Sequence, residues 1–421
     1  MNRVVVTGLG MVTPLGETVE QNWSRSLNGE NGISRLENPE FVGAPVAVAG
    51  QVSESSWSRI AARFPDEILS EGERRTLFAL WAADEALHDA GSHSCGVVLG
   101  TGLGAVRLED FQPFLSSDGA FDWSNFTQSF DRVHPQSLLR WPSDRATALI
   151  AHRFNLTGPT LTVTSACASA TQAIGTAYRM IQRGEADMML CGGTDSMLHP
   201  VGLVYFALLG AASTSTDPDS ACRPFDSRRS GMVMGEGAGM IMLESERNAR
   251  SRGARIYAEV AGYGSSMDCY QPTAPHPEGV GAARAMTNAL ADAGLAADAI
   301  DFINAHGTGT RLNDVAEARA IKTVFGDAPA EPAVSSSKSL MGHLLAGCGG
   351  PELVLTILSV NRDAIHPTRN LSRPDRRCDL DFVSGEARHT PTRAALSNSF
   401  GFGGQNACVI VKKIEGGLTS P

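Results

Sequence analysis

The sequence predicts an α/β fold, and three observations carry that prediction. Short apolar stretches of strand character alternate along the chain with longer stretches of helical spacing. Glycine- and serine-rich turns separate them, and no low-complexity linker interrupts the alternation. The chain has 421 residues, of which 42% are hydrophobic and 19% charged, enough to build a large globular core in two packed halves or a duplicated domain. The alternation leads to an expectation of layers with largely parallel strand pairing.

Taken in order, the first strand is expected over residues 3–8, where Arg3-Val-Val-Val-Thr7 runs directly from the N-terminus. That start lacks the order of a signal peptide, and no apolar run reaches transmembrane length, so a cytoplasmic protein that does not enter the membrane is expected. Further strands are expected over 95–99, 160–165, 187–191, 238–243, 301–305, 393–398 and 407–412. Helices are expected over Arg74–Ala90, Ala168–Arg183, Ala282–Ala293, Val315–Val324 and Glu352–Val360. Residues 104–150, polar and aromatic with Pro135 and Pro142, break the rhythm and read as an inserted excursion. The cleanest internal break lies near Arg250-Ser-Arg-Gly-Ala254, before Ile256-Tyr-Ala-Glu-Val260 begins another strand. This divides the chain into residues 1–250 and 251–421, whose similar order of elements suggests a duplication.

Bulk chemistry narrows the function classes. A net charge of -10 disfavours broad nucleic-acid binding. The eight cysteines (95, 167, 191, 222, 269, 348, 378 and 408) are scattered, with no CxxC pair, which argues for reduced thiols and against a disulfide frame or zinc.

The stretch Thr160-Leu-Thr-Val-Thr-Ser-Ala-Cys-Ala-Ser-Ala170 organises the chemistry. Leu161, Val163 and the threonines alternate as in a strand, and an Ala-, Met- and Ile-rich helix follows, so Cys167 stands on a strand-to-helix turn. The helix N-terminus there would favour the thiolate, which is the nucleophilic form. A lone free cysteine is more often a buried structural residue, and the stretch alone leaves both readings open. Three other loops follow strands: Asn304-Ala-His-Gly-Thr-Gly-Thr310, Ser335-Ser-Ser-Lys-Ser-Leu-Met-Gly-His343 and Asn398-Ser-Phe-Gly-Phe-Gly-Gly404. Loops beyond the carboxyl ends of strands in α/β sheets hold ligands, so these four are expected to converge on one pocket. A thiolate there would take up an acyl group from a thioester, and two histidines would supply N–H donors to a developing oxyanion or act as base. Lys338, if buried, would fix the charge of its neighbours. Gly309 and Gly342 would let backbone approach a ligand, and Thr308 and Thr310 would bond the amides of a long polar arm. Gly8-Leu-Gly10 and Gly100-Thr-Gly-Leu-Gly104 are weak dinucleotide-binding signals, and the local signature of papain-like proteases is absent.

Together, Ser165-Ala-Cys-Ala-Ser169, His306-Gly-Thr-Gly-Thr310 with Asn313-Asp314, Lys338 with Gly342-His343, and Ser399-Phe-Gly-Phe-Gly-Gly404 resemble the ordered signature of β-ketoacyl-[acyl-carrier-protein] synthases. The resemblance is to the synthase I/II group of thiolase-fold condensing enzymes and covers nearly the whole chain, including Cys222-Arg-Pro-Phe-Asp226 and Cys378-Asp-Leu-Asp-Phe382. It implies a duplicated, five-layered αβαβα thiolase-like fold. It also implies that Cys167 accepts the acyl chain, while His306 and His343 support decarboxylation of a malonyl thioester. The backbone N–H groups of Cys167 and Phe402 would form the oxyanion hole. Lys338 would orient the site with Asp314 and Glu352 in its network, Thr308 and Thr310 would hold the phosphopantetheine arm, and Phe400 would gate the nucleophile. No metal or dissociable cofactor is implied. The implied partners are acyl carrier protein and a second subunit, in a homodimer or in a heterodimer with a ketosynthase-like chain-length factor.

Several positions depart from the pattern of a housekeeping fatty-acid enzyme: Asp144-Arg145, Met232, Gln271, Cys348 with Gly349-Gly350, and Gln405-Asn406. They point to a specialised ketosynthase, for a polyene or other polyketide, beside the plainer fatty-acid reading. A subunit whose site is intact but idle is the non-enzymatic alternative. Arg74-Arg75, Arg132, Arg228-Arg229 and Arg376-Arg377 are the candidate landing sites for an acidic carrier protein.

Overall fold

A computed structural model describes residues 1–67, 73–104, 111–133, 142–326, 328 and 330–414. Ten strands form one sheet: β1 (Val4–Val12), β2 (Gly96–Thr101), β3 (Thr160–Val163), β4 (Met188–Asp195), β5 (Gly237–Ser245), β6 (Ala258–Met267), β7 (Phe302–Asn304), β8 (Ala333–Ser335), β9 (Ala394–Phe400) and β10 (Gln405–Lys412). Their order across the sheet is β8-β7-β9-β10-β6-β1-β5-β4-β2-β3. Outward from the centre, the first five strands run 1-5-4-2-3 and the last five run 6-10-9-7-8, the same topology twice. The pairing senses repeat too. Strand β5 is antiparallel to β1 and to β4, and β10 is antiparallel to β6 and to β9. The outer pairs β4/β2, β2/β3, β9/β7 and β7/β8 are parallel.

Side-chain alternation along the strands builds the layers. In β2 and β4, Val97, Leu99, Met188 and Leu190 pack on helices α1 (Arg74–Ala90) and α2 (Arg145–Phe154). The intervening Val98, Met189 and Cys191 face α3 (Ser169–Gln182) and its neighbours. In the second half, Ile303, Leu396, Cys408 and Ile410 meet α5 (Val280–Ala293) and α6 (Asn313–Phe325). Phe302, Ala395, Val409 and Val411 turn inward to share the central core with α7 (Gly349–Arg362). The order is therefore helices, one half of the sheet, α3 with α7, the other half of the sheet, helices: the five-layered αβαβα arrangement. Among the named helices, α4 (Pro200–Leu208) lies outside this stack.

Two expectations need correction. The pairing is mixed, because each half folds back on itself twice around its central strands. Residues 145–154 are no excursion: α2 buries Ala146 and Ile150 against α1 and β2. Pro135 lies outside the described residues. The glycines of Gly8-Leu-Gly10 serve packing, since a Cβ at Gly10 would stand 1.9 Å from the Ala82 carbonyl oxygen of α1. Strands β6 and β8 extend beyond the short hints in the sequence, and α4 was not anticipated. The break at Arg250–Ala254 falls at the end of a short helix, Glu246–Ser251.

Candidate active site

The four loops of the sequence reading converge. Cys167 follows β3 through a turn in which Ala166 adopts a left-handed backbone (φ 49°), unfavourable for an alanine by about 1 kcal/mol. The strain aims the half-buried Cys167 into the site. Its Sγ lies 3.2 Å from Nε2 of His343. Nδ1 of His343 accepts the N–H of Leu345 at 3.2 Å, so the ring proton sits on Nε2 and points at the sulfur. The His306 ring stands edge-on to that of His343, with centroids 5.2 Å apart, and the ligand atoms of all three residues lie within 4.8 Å of one another. Phe400 packs beside His306 at 5.9 Å.

The electrostatics follow from burial and one cation. Lys338 is fully buried and paired with Glu352. Burial works against its ammonium, but Glu352 outweighs it and holds the lysine above its usual range. Burial, together with the Lys338 charge, holds both His306 and His343 neutral. Burial pushes the Cys167 thiol up to about 12, against the lowering influence of Lys338 and of the nearby Phe402 N–H. The expected help from the helix N-terminus is largely spent, because the N–H groups of Ala168 and Ser169 turn back to the Ser165 and Ala166 carbonyls. Burial thus favours the thiol form of Cys167, and Lys338 and the Phe402 N–H are the influences that favour its thiolate.

Other residues fall in and out of place. Thr308 and Thr310 share a hydroxyl–hydroxyl bond of 2.9 Å beside the site. Asp314 does not join the Lys338–Glu352 pair. It accepts the N–H groups of Phe225 and Gly309 and faces Arg229 at 3.5 Å, tying two loops together. Gly342 is required by its own backbone. With φ 78° and ψ −178°, it sets the short bridge between His343 and Met234, and a Cβ there would lie 3.0 Å from the Met234 oxygen. Arg75 and Arg229 are buried and cannot be landing sites; Arg132 and Arg376 are exposed. Of the departures, Met232 is buried near Phe402, Cys348 donates to the Cys167 carbonyl at 3.4 Å, and Gln405 accepts from Gln172. Gln271 and Asp144 are exposed, and Arg145 is half-buried.

Two buried acids escaped the sequence reading. Glu317 accepts the backbone N–H groups of His306 (2.8 Å) and Gly307 (2.7 Å), fixing the histidine loop, and burial pushes it up to about 7. Its signal was an acid three residues after Asp314, on the apolar face of a helix. Asp195, at the end of β4, accepts the N–H of Ala346, and its charge opposes ionisation of Cys167.

Two family descriptions match this chain: beta-ketoacyl synthase, N-terminal domain, over residues 1–249, and beta-ketoacyl synthase, C-terminal domain, over residues 257–372. The chain belongs to the β-ketoacyl synthase family. It is 40% identical to a 3-oxoacyl-[acyl-carrier-protein] synthase 2 of Synechocystis sp., with 98% of each sequence covered. Among solved structures, it matches a type II polyketide ketosynthase in complex with its acyl-carrier protein and bound to the hexaketide, at 31% identity and a TM-score of 0.87, over 98% of this chain and 100% of that one. It also matches the ishigamide ketosynthase/chain length factor, at 32% identity and a TM-score of 0.83, over 98% and 100% of the two chains. The fold is the thiolase fold of these ketosynthases, and the relationship favours a condensing enzyme over the idle-subunit alternative. Among the described residues, no helix is long and apolar enough to cross a membrane.

Proposed function

We propose that Cys167 is the acyl acceptor of a decarboxylative Claisen condensation on acyl-carrier-protein thioesters. The observation that carries this reading is the Nε2–H of His343 aimed at Sγ of Cys167 at 3.2 Å, with neutral His306 beside it. In the first half-reaction the sulfur attacks the acyl carbonyl, the bond to the carrier thiol breaks, and that thiol leaves with the cysteine's proton. The N–H groups of Cys167 and Phe402 hold the oxyanion. A malonyl thioester then enters with its arm against Thr308 and Thr310, past the Phe400 gate. His306 and His343 donate to its thioester oxygen, so loss of carbon dioxide leaves an enolate whose charge they share. The enolate carbon attacks the acyl group on Cys167, the carbon–sulfur bond breaks, a β-ketoacyl chain two carbons longer departs, and the Cys167 thiolate left behind takes a proton from water to restore the thiol. Two neutral donors suit this step, since an imidazolium would surrender its proton to the enolate. Lys338, with Glu352, keeps both histidines neutral and lowers the cost of the thiolate, while Asp314 and Glu317 hold the loops. Cys167, His306 and His343 supply the nucleophile and the donors in this reading, which calls on no metal or dissociable cofactor.

The same reading places the protein in the cytoplasm, where carrier-bound chains are elongated, with 1–250 and 251–421 as its two thiolase-like halves. A second subunit is supported by β3, a sheet-edge strand on which Leu161 is 46% exposed. That subunit is either a second copy or a homologous chain-length factor. Exposed Arg132 and Arg376 are the docking cations for the acidic carrier. Intact-protein mass spectrometry after mixing with acyl-carrier-protein thioesters tests the chemistry. The protein should gain one acyl mass, absent in Cys167→Ala, and malonyl-carrier protein should then release chains two carbons longer. Acylation that persists in Cys167→Ala would overturn the assignment.

A further inference from the structure

The three groups of the proposed chemistry are also a sulfur and two imidazoles, the donors that a zinc ion takes. One ligand atom from each of Cys167, His306 and His343 lies within 4.8 Å of the other two. Zinc holds sulfur at about 2.3 Å and imidazole nitrogen at about 2.0–2.1 Å, which in a tetrahedron sets neighbouring donors about 3.5 Å apart. One pair already stands near that spacing, Sγ of Cys167 and Nε2 of His343 at 3.2 Å. The remaining gaps close by side-chain movements of about 1 Å. The scatter of cysteines along the sequence argues against zinc, but that argument reaches only ligands close together in the chain. These three come from separate loops, after β3, β7 and β8, and only the fold assembles them.

The surroundings suit such an ion. Nδ1 of His306 is buried without a partner, so no hydrogen bond at that nitrogen holds the ring proton in place. His343 ligates by moving its proton from Nε2 to Nδ1, which gives up the bond from the Leu345 N–H. Leu345 has a left-handed backbone (φ 47°), so the bond given up belongs to a strained turn. The charge of Lys338 is offset by Glu352, with which it pairs. Cys167 is half-buried, which leaves the fourth position open to water. We propose that Cys167, His306 and His343 form a three-ligand zinc site that reversibly blocks acyl loading. The S–H bond breaks, its proton leaves to solvent, and the thiolate binds the ion. Magnesium and calcium, which take oxygen ligands, are poorly served by this donor set. Once acylated, the sulfur is no longer a thiolate, so zinc acts on the free enzyme alone. This regulatory consequence rests on the acyl-loading reading, whereas the binding rests on the geometry.

The test is titration of the full chain with zinc chloride, with the retained ion counted by native mass spectrometry after desalting. The wild type should keep one zinc and, in a parallel titration, no magnesium. Cys167→Ala, His306→Ala and His343→Ala should each weaken binding by about a hundredfold or more, since even outer-shell partners are worth about 10- to 100-fold. Wild type acylated on Cys167 should keep no zinc, a readout that needs no variant to fold. The exposed Cys269 follows Asp268, which accepts the His276 N–H, and is the competing place for an adventitious ion. Cys269→Ala should therefore leave binding unchanged. No retained zinc, equal retention without Cys167, or zinc lost only in Cys269→Ala overturns the inference. So does acyl loading that proceeds at the same rate with saturating zinc. If no thioester loads Cys167 even without zinc, the acyl-loading reading fails and the regulatory role with it, while zinc retention still decides the site.

Discussion

Cys167 lies under opposing influences: burial favours the thiol, while Lys338 and the Phe402 N–H favour the thiolate. Because its thiol is pushed up to about 12, alkylation of Cys167 should accelerate with pH and still be rising at the alkaline limit of stability. The Lys338→Met/Glu352→Gln variant removes the cation without stranding the buried acid. Its Cys167 alkylation at fixed pH should be slower by about tenfold or more, as expected when an opposite charge is lost from a buried site. Equal rates in the two proteins, followed by mass spectrometry of the Cys167 peptide, would remove Lys338 from the activation of the nucleophile. At this scale the sequence was informative about identity and poor about partnership. Cys167, His306 and His343 stood out by residue type after strands, yet nothing in the spacing of Asp314 said that it would face Arg229 instead of Lys338. Glu317 was silent for a related reason: its partners are backbone N–H groups, which no side-chain motif records.

Among the elements, the segment from β8 to α7 carries the most chemistry on the least regular backbone. Gly342 holds it in shape, with φ 78° and ψ −178° open only to glycine at low cost. Gly342→Ala should lose about 1–3 kcal/mol from backbone strain and displace His343, so urea unfolding should show a lower midpoint and acyl loading should fall together. A variant of full stability and activity would show that the bridge to Met234 does not fix the histidine. Long periodic elements were legible: α1 runs over Arg74–Ala90, as its pattern of apolar residues indicates. What failed was the sense of pairing, because a buried strand reads as the same apolar run whether its neighbour is parallel or antiparallel. Likewise α2 hid behind proline and polar residues, although Ala146 and Ile150 reach the core.

For the whole molecule, the exposed edge at β3 is the feature most in need of a partner. With the second subunit proposed for this edge, Leu161→Lys should leave the fold unchanged by circular dichroism and yield single chains in sedimentation where the unaltered protein sediments as two. An unaltered assembly would move the contact elsewhere. The repeated strand order has a further consequence. Cys167 stands in the five-residue turn 164–168 between β3 and α3, whereas the matching turn of the other half, 336–348 between β8 and α7, has grown to thirteen residues and carries Lys338 and His343. In the proposed reaction the two halves divide a single task, one holding a short, tense loop for the nucleophile and the other a longer loop for charge and hydrogen-bond donors. Neither copy holds a complete set of reacting groups, so the chain behaves as an internal couple. Each half completes the other, so a change in either loop acts on the shared site.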